Sequence, residues 1–164
     1  KQVDDAPYGG GPGMVLMPEP LDKAITSTKS DINAFLTPSG QQLNEKLISE
    51  LLEYKSINFV CGRYEGFDQR ILEIHSDYQI SIGQSVVSGG EVPVMYLLEA
   101  LIRKIPNVLG NPESLKSETF TDDKIDYPVY TRPEIFKNIK VPEVLLSGNH
   151  QKIDEWKKNN LKDI

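Results

Sequence analysis

The sequence predicts an α/β fold, a parallel β-sheet with flanking helices. Three observations lead there. Apolar runs of strand length at residues 14–18, 32–36 and 57–61 alternate with helical segments at 21–28 and 41–54. Each run is apolar along most of its length rather than alternating, the pattern of strands covered on both faces. Residues 91–105 then carry Val92, Val94, Met95, Leu97, Leu98, Leu101 and Ile102. A helix apolar all round is buried on several sides, and in a chain of 164 residues a second subunit is the natural cover.

Taken in order, the turn-rich segment 7–13 leads into the first strand. Thr37-Pro38-Ser39-Gly40 closes the second. Leu43, Leu47, Ile48, Leu51 and Leu52 make the apolar stripe of helix 41–54. The strand at 57–61 follows, then a turn and short helix at 66–75 and another strand at 78–82. Beyond Pro106 the character changes: residues 110–124 are polar, charged and aperiodic, as in a functional lid or a disordered connector. Pro128, Pro133 and Pro142 mark turns, and Gly148-Asn149-His150 caps an amphipathic helix over 151–161.

Composition narrows the function classes. The net charge of −6 argues against a non-specific nucleic-acid binder, which is usually basic, while leaving room for a local basic face. No apolar stretch approaches the roughly 20 residues of a membrane span, and nothing reads as a signal peptide. The lone Cys61 has no internal partner, which suits a reducing cytosol. The chain opens on Lys1 and closes on a lysine-rich helix, so both ends read as cut from something longer. No GxxxxGK[ST] or GxSxG is present, and Gly9-Gly10-Gly11-Pro12-Gly13 lacks the dinucleotide spacing. His75 and His150, far apart and with one cysteine, do not have the pattern of a zinc site.

Two glycine-bearing loops stand out: Val60-Cys61-Gly62-Arg63-Tyr64-Glu65-Gly66 at the end of a strand, and Ser81-Ile82-Gly83-Gln84-Ser85-Val86-Val87-Ser88-Gly89-Gly90-Glu91 opening the long apolar helix. Glycines at strand ends let backbone N–H and C=O groups approach a ligand. Two such loops near each other suggest one pocket built mainly of backbone, suited to a cofactor with a purine and a sugar.

Together with Val3-Asp4-Asp5-Ala6-Pro7-Tyr8-Gly9-Gly10-Gly11-Pro12-Gly13-Met14, Tyr130-Thr131-Arg132-Pro133 and Val141-Pro142-Glu143-Val144-Leu145-Leu146-Ser147-Gly148-Asn149-His150, these loops carry a resemblance. The sequence resembles the bacterial tRNA (guanine-N1)-methyltransferases, in order and along nearly its whole length. The resemblance implies a SPOUT-type fold with a deep trefoil knot in the C-terminal half, and a cytoplasmic homodimer with its active site at the interface. It implies S-adenosyl-L-methionine as cofactor and tRNA as substrate, with N1 of the guanosine 3′ of the anticodon methylated, which prevents frameshifts. Residues 1–150 would form the knotted domain and 151–164 a basic linker helix. Relative to the family, the first strand and helix and the C-terminal helical domain are absent.

The same resemblance assigns roles. Arg103 is the cation that stabilises charge on the guanine carbonyl oxygen, although a helix-end arginine also pairs with the helix dipole. Glu118, in Glu118-Thr119-Phe120, stands where the family has an Asp base, and Asp126 is a second acid near the target guanine. Cofactor contacts fall on Leu36, Thr37 and Pro38; on Gly62, Tyr64, Glu65 and Gly66; on Ser81, Ile82, Gly83, Gln84, Ser85, Val86 and Val87; and on Gly89, Gly90 and Pro93. Gln84 and Ser85 depart from the family's usual Asp and Tyr. Tyr8, Gly9, Gly10, Arg132, Asn149 and His150 are the substrate-side candidates, and Lys152, Lys157, Lys158 and Lys162 could track an RNA backbone. No metal is implied. The alternative reading is a non-catalytic cofactor- or RNA-binding relative.

Overall fold

The computed structural model describes residues 2–108, 120 and 124–163. The chain forms two compact units, Lys1–Leu109 and Gly110–Ile164.

In the first unit, β1 (Asp4–Asp5) pairs antiparallel with β2 (Val15–Leu16), and α1 (Pro18–Ser27) follows. The apolar run at 14–18 is therefore not a member of the parallel sheet, contrary to the sequence reading. An apolar run specifies burial but not its hydrogen-bonding partner. The helix also starts earlier than expected, with Pro18 in its first turn. A proline there loses no helical hydrogen bond and has a suitable φ.

The sheet proper has the order β4-β3-β5 and is parallel throughout, built from β3 (Ile32–Gln42), β4 (Ile57–Cys61) and β5 (Tyr78–Ser81). Strand β3 shows how the layers form. Ile32, Ala34 and Leu36 face a core with Leu47, Ile48 and Leu51 of α2 (Glu45–Leu51) and Leu97 and Leu101 of α4 (Glu91–Ile102). The intervening Phe35 faces Ile25 of α1 and Ile71 and Leu72 of α3 (Gln69–His75) on the other side. Two-residue alternation thus sends successive side chains into two separate cores. Edge-on packing of Phe35 against Phe67, with centroids 5.1 Å apart, closes the second.

Two boundaries correct the sequence reading. Strand β3 does not end at Thr37. Both Leu36 and Gln41 pair with Ile80, so the intervening Thr37-Pro38-Ser39-Gly40 bulges out before the strand resumes. Consequently α2 begins at Glu45 rather than 41, behind the cap of Asn44, whose side chain accepts from the Leu47 amide at 2.9 Å. Gly40 makes this possible. A Cβ there would lie 2.4 Å from the carbonyl carbon of Gln79 and 2.5 Å from the Ile80 nitrogen. Gly40→Val is therefore expected to lower stability by roughly 3 kcal/mol or more, read as a fall in the urea midpoint. An unchanged midpoint would contradict this close approach of β3 and β5.

Helix α4 has two apolar faces. Pro93, Leu97 and Leu101 are buried, whereas Val92, Met95 and Tyr96 are 63%, 68% and 59% exposed. Its far end is tied down by the ion pair of Lys104 with Glu45 at the start of α2. Among the described residues no helix is long and apolar enough to cross a membrane.

The second unit pairs β6 (Lys124–Ile125) with β9 (Lys162–Asp163). It folds β7 (Ile135–Phe136) and β8 (Ile139–Lys140) into a hairpin, and adds α5 (Glu143–Leu146) and α6 (His150–Asn159). Trp156 of α6 gathers Tyr127 and Tyr130 at centroid distances of 6.5 and 6.4 Å, and Lys157 lies over the Tyr127 ring. Asn149 caps α6, accepting from the Lys152 amide at 3.2 Å. The helix thus starts at His150, one residue before its expected position. The lid segment at 110–124 lies almost wholly outside the described residues.

Candidate active site

The three parallel strands end side by side, and their following loops converge. Leu36-Thr37-Pro38-Ser39 after β3, residues 62–67 after β4 and the segment from Ser81 to Pro93 after β5 enclose a cavity of about 330 Å3. The carboxyl ends of parallel strands, where successive connections leave in opposite directions, are where open α/β sheets bind ligands. The volume lies within the range of small-molecule sites. The β3 bulge supplies one wall of this cavity.

The loops are laid against each other without slack. The Gly90 amide donates to the Gly62 carbonyl at 2.9 Å, and Arg63 bridges to Gly89. A Cβ on Gly90 would sit 2.8 Å from the Cys61 Cα, and one on Gly62 would sit 2.9 Å from the Phe67 ring. Tyr64 and Gly66 take left-handed φ values of 59° and 108°, which turn the second loop back towards the first strand pair.

One ion pair spans the two glycine loops. Arg63 Nε and a terminal guanidinium nitrogen each reach Glu91 Oε1 at 2.9 Å. The Glu91 backbone N–H and then Arg63 hold its carboxyl below the usual carboxylate range. A lowered carboxyl pKa gives a contribution present above the unfolded value and lost as pH falls through the folded one. The pair therefore persists at neutral pH and is lost only as pH falls below the ordinary glutamate range. Burial, with help from Glu91, pushes the adjacent Cys61 thiol up, keeping it protonated and unreactive at neutral pH.

All the cofactor-side residues read from the sequence line this cavity except Gln84. Ser39, Arg63, Phe67, Gln69, Leu72, Ile80 and Ser88 also line it and were missed. Arg63 and Ser88 lie inside the very loops that drew attention. Leu72 and Ile80 are core positions whose second role as a wall leaves no signal in sequence.

The loop carrying Tyr8, Gly9 and Gly10 is anchored at the cavity rim. The Glu65 amide donates to the Met14 carbonyl at 2.9 Å, and the Leu16 amide to the Gly66 carbonyl at 3.0 Å. Gly13 packs so closely that a Cβ would meet the Glu65 side chain at 2.3 Å. Tyr8 itself is fully exposed at the tip.

The proposed catalytic residues are placed differently. Arg103 is the half-buried C-cap of α4 and is not among the residues lining the cavity. It lies ten residues beyond Pro93, about 15 Å along a helix. Glu118 lies outside the described residues. Asp126 is half-buried in the second unit, where its Oδ1 accepts from the Tyr127 amide at 2.9 Å. Arg132 is exposed in that unit, as is His150, and the Asn149 side chain is engaged in capping α6.

Comparison with known proteins adds the following. A family model described as tRNA (Guanine-1)-methyltransferase TrmD matches residues 1–163. The chain is 48% identical to a tRNA (guanine-N(1)-)-methyltransferase of Nitrosospira multiformis, over 96% of this chain and 65% of that protein. It is 43% identical to the protein of the same name in Polynucleobacter asymbioticus, over 96% and 67%. With the protein of that name in Lactobacillus delbrueckii subsp. bulgaricus the chain shares 47% identity, over 96% of this chain and 64% of that protein. The chain thus spans about two thirds of the length of these curated relatives.

Proposed function

The chain belongs to the tRNA (guanine-1)-methyltransferase family, and on that premise we propose that it transfers a methyl group from S-adenosylmethionine to N1 of the guanosine 3′ of a tRNA anticodon. The observation that carries this reading is the convergence of three strand-end loops on one cavity, with the segment that follows the Tyr8–Gly9–Gly10 loop hydrogen-bonded to its rim through Met14 and Leu16.

The cavity residues fit such a cofactor. Exposed Val86 and Val87, with Leu36 and Ile80, offer apolar faces for a flat base. The glycines leave backbone N–H and C=O groups open to its polar edge. When bound, S-adenosylmethionine supplies an electrophilic methyl sulfonium. What remains for the protein is to hold the guanine in line, take its N1 proton and stabilise the negative charge growing on the neighbouring carbonyl oxygen. In this proposal Glu118 takes the proton, Asp126 assists at the base edge and Arg103 meets the charge. Tyr8, Gly9, Gly10, Arg132, Asn149 and His150 contact the RNA.

A homodimer completes the proposal. The stripe of Val92, Met95 and Tyr96 on α4 needs cover, and a contiguous apolar face of this kind marks an interface. Arg103 stands on the same helix outside its own cavity lining, which suits a reaction centre shared between two copies. The family's trefoil knot belongs to the same reading, supported by the close seating of Gly89 and Gly90 against Arg63 and Gly62. A cytoplasmic location follows from the substrate.

The test uses tRNA transcripts that differ only in having guanosine or adenosine 3′ of the anticodon. Methyl incorporation from labelled S-adenosylmethionine is expected for the guanosine transcript alone. Equal labelling of both, or none while tRNA is bound, would contradict the proposal and favour a non-catalytic relative.

A further inference from the structure

The hairpin of β7 and β8 presents an unusual surface. Phe136 and Ile139 are directly cross-strand and 62% and 71% exposed. The two residues that turn the chain between them, Lys137 and Asn138, both take left-handed φ values of 48° and 68°. Asparagine adopts that conformation readily, whereas lysine does so at some cost. The Lys137 ammonium lies 5.6 Å from the centre of the Phe136 ring. Lys137 is the cation over this ring, whereas Lys140 pairs with Ile135 and so lies on the other face of the hairpin. An exposed aromatic held on a tight turn with a cation over it is an arrangement that receives an unpaired base: the base stacks on the ring while the cation meets a flanking phosphate.

We infer that the Ile135–Lys140 hairpin is an RNA-docking element on which an unpaired nucleotide of the tRNA substrate stacks at Phe136, with Lys137 pairing to an adjoining phosphate. The inference rests on the tRNA methyltransferase reading and adds a recognition surface to it. The apolar pair alone would suit RNA or a second copy, but a two-fold contact between copies at this patch sets Lys137 against its own counterpart, whereas RNA brings phosphates to it. Stacking is tolerant of base identity, so this element contributes affinity and register, and selection of guanine is left to the residues proposed to meet its base edge.

The experiment measures binding of the intact chain to two RNAs by fluorescence anisotropy: a stem-loop carrying guanosine 3′ of its anticodon triplet, and a blunt duplex without unpaired bases. Phe136→Ala is expected to weaken stem-loop binding about tenfold and duplex binding little, while Phe136→Tyr restores it. Lys137→Ala is expected to lower the salt slope of stem-loop binding by about 0.7, the signature of one lost contact to a single-stranded phosphate. Stem-loop affinity unchanged in Phe136→Ala would overturn the inference. So would a variant that alters only the sedimentation of the protein, which would assign the patch to contacts between copies. Calorimetry with S-adenosylhomocysteine, the demethylated product of S-adenosylmethionine, separates the two levels. Wild-type protein that binds neither this ligand nor the stem-loop overturns the family activity together with the hairpin. Wild-type protein that binds both, with Phe136→Ala unaffected, removes the hairpin alone.

Discussion

Arg103→Ala is expected to lower kcat by about 10²–10³ while leaving the dissociation constant of S-adenosylmethionine within a factor of two or so of wild type. The reasoning starts from position. Arg103 caps α4 outside the residues that line the cavity, so its removal takes no wall from the cofactor site. In the proposed reaction its guanidinium would meet charge that exists only as the guanine N1 proton leaves and the methyl group transfers. An interaction made only in the transition state appears in kcat and not in ground-state binding. Arg103→Lys keeps the charge without the planar fork and should recover part of the loss. Steady-state kinetics beside a calorimetric titration check the split. An equal fall in cofactor affinity would instead make Arg103 a structural support for the end of α4.

Gly90→Val is expected to reduce cofactor affinity by about 100-fold or more with the protein still folded. Here the restriction is space rather than backbone conformation. Gly90 has an ordinary φ of −72° as the N-cap of α4, yet a Cβ would lie 2.8 Å from the Cys61 Cα and 3.0 Å from the Gly62 nitrogen. Those atoms belong to the facing loop, so a larger residue forces apart the two loops that form the cavity. It also breaks the 2.9 Å hydrogen bond between Gly90 and Gly62. Circular dichroism shows whether the fold survives, and ligand titration measures the loss. A folded variant with wild-type affinity would contradict the site.

Much of this was legible in the sequence because the relevant signals are local. The strand Ile57–Cys61 and the helix Gln69–His75 fall where the apolar run at 57–61 and the turn and short helix at 66–75 were expected. The glycine loops announced the cavity because backbone-built sites require residues without side chains at fixed places. Non-local features were not legible. Thr37-Pro38-Ser39-Gly40 contains two strand-ending residues, and only pairing with β5 on either side carries β3 through them. The antiparallel pairing of Val15–Leu16 with Asp4–Asp5 depends on which strand edge is free. The hairpin at Ile135–Lys140 was missed because Lys137-Asn138 is a poor turn signal beside Asn-Gly. Arg63 escaped because its partner, Glu91, is distant in sequence. Arg103 could be assigned a role by resemblance, but its distance from the cavity lining emerged only with α4 in place.

The most direct test is a calorimetric titration of S-adenosylmethionine into the wild-type chain. One site per chain, displaced by S-adenosylhomocysteine and lost in Gly90→Val, is the predicted result. No binding by a protein that circular dichroism shows to be folded would contradict a cofactor site in this cavity.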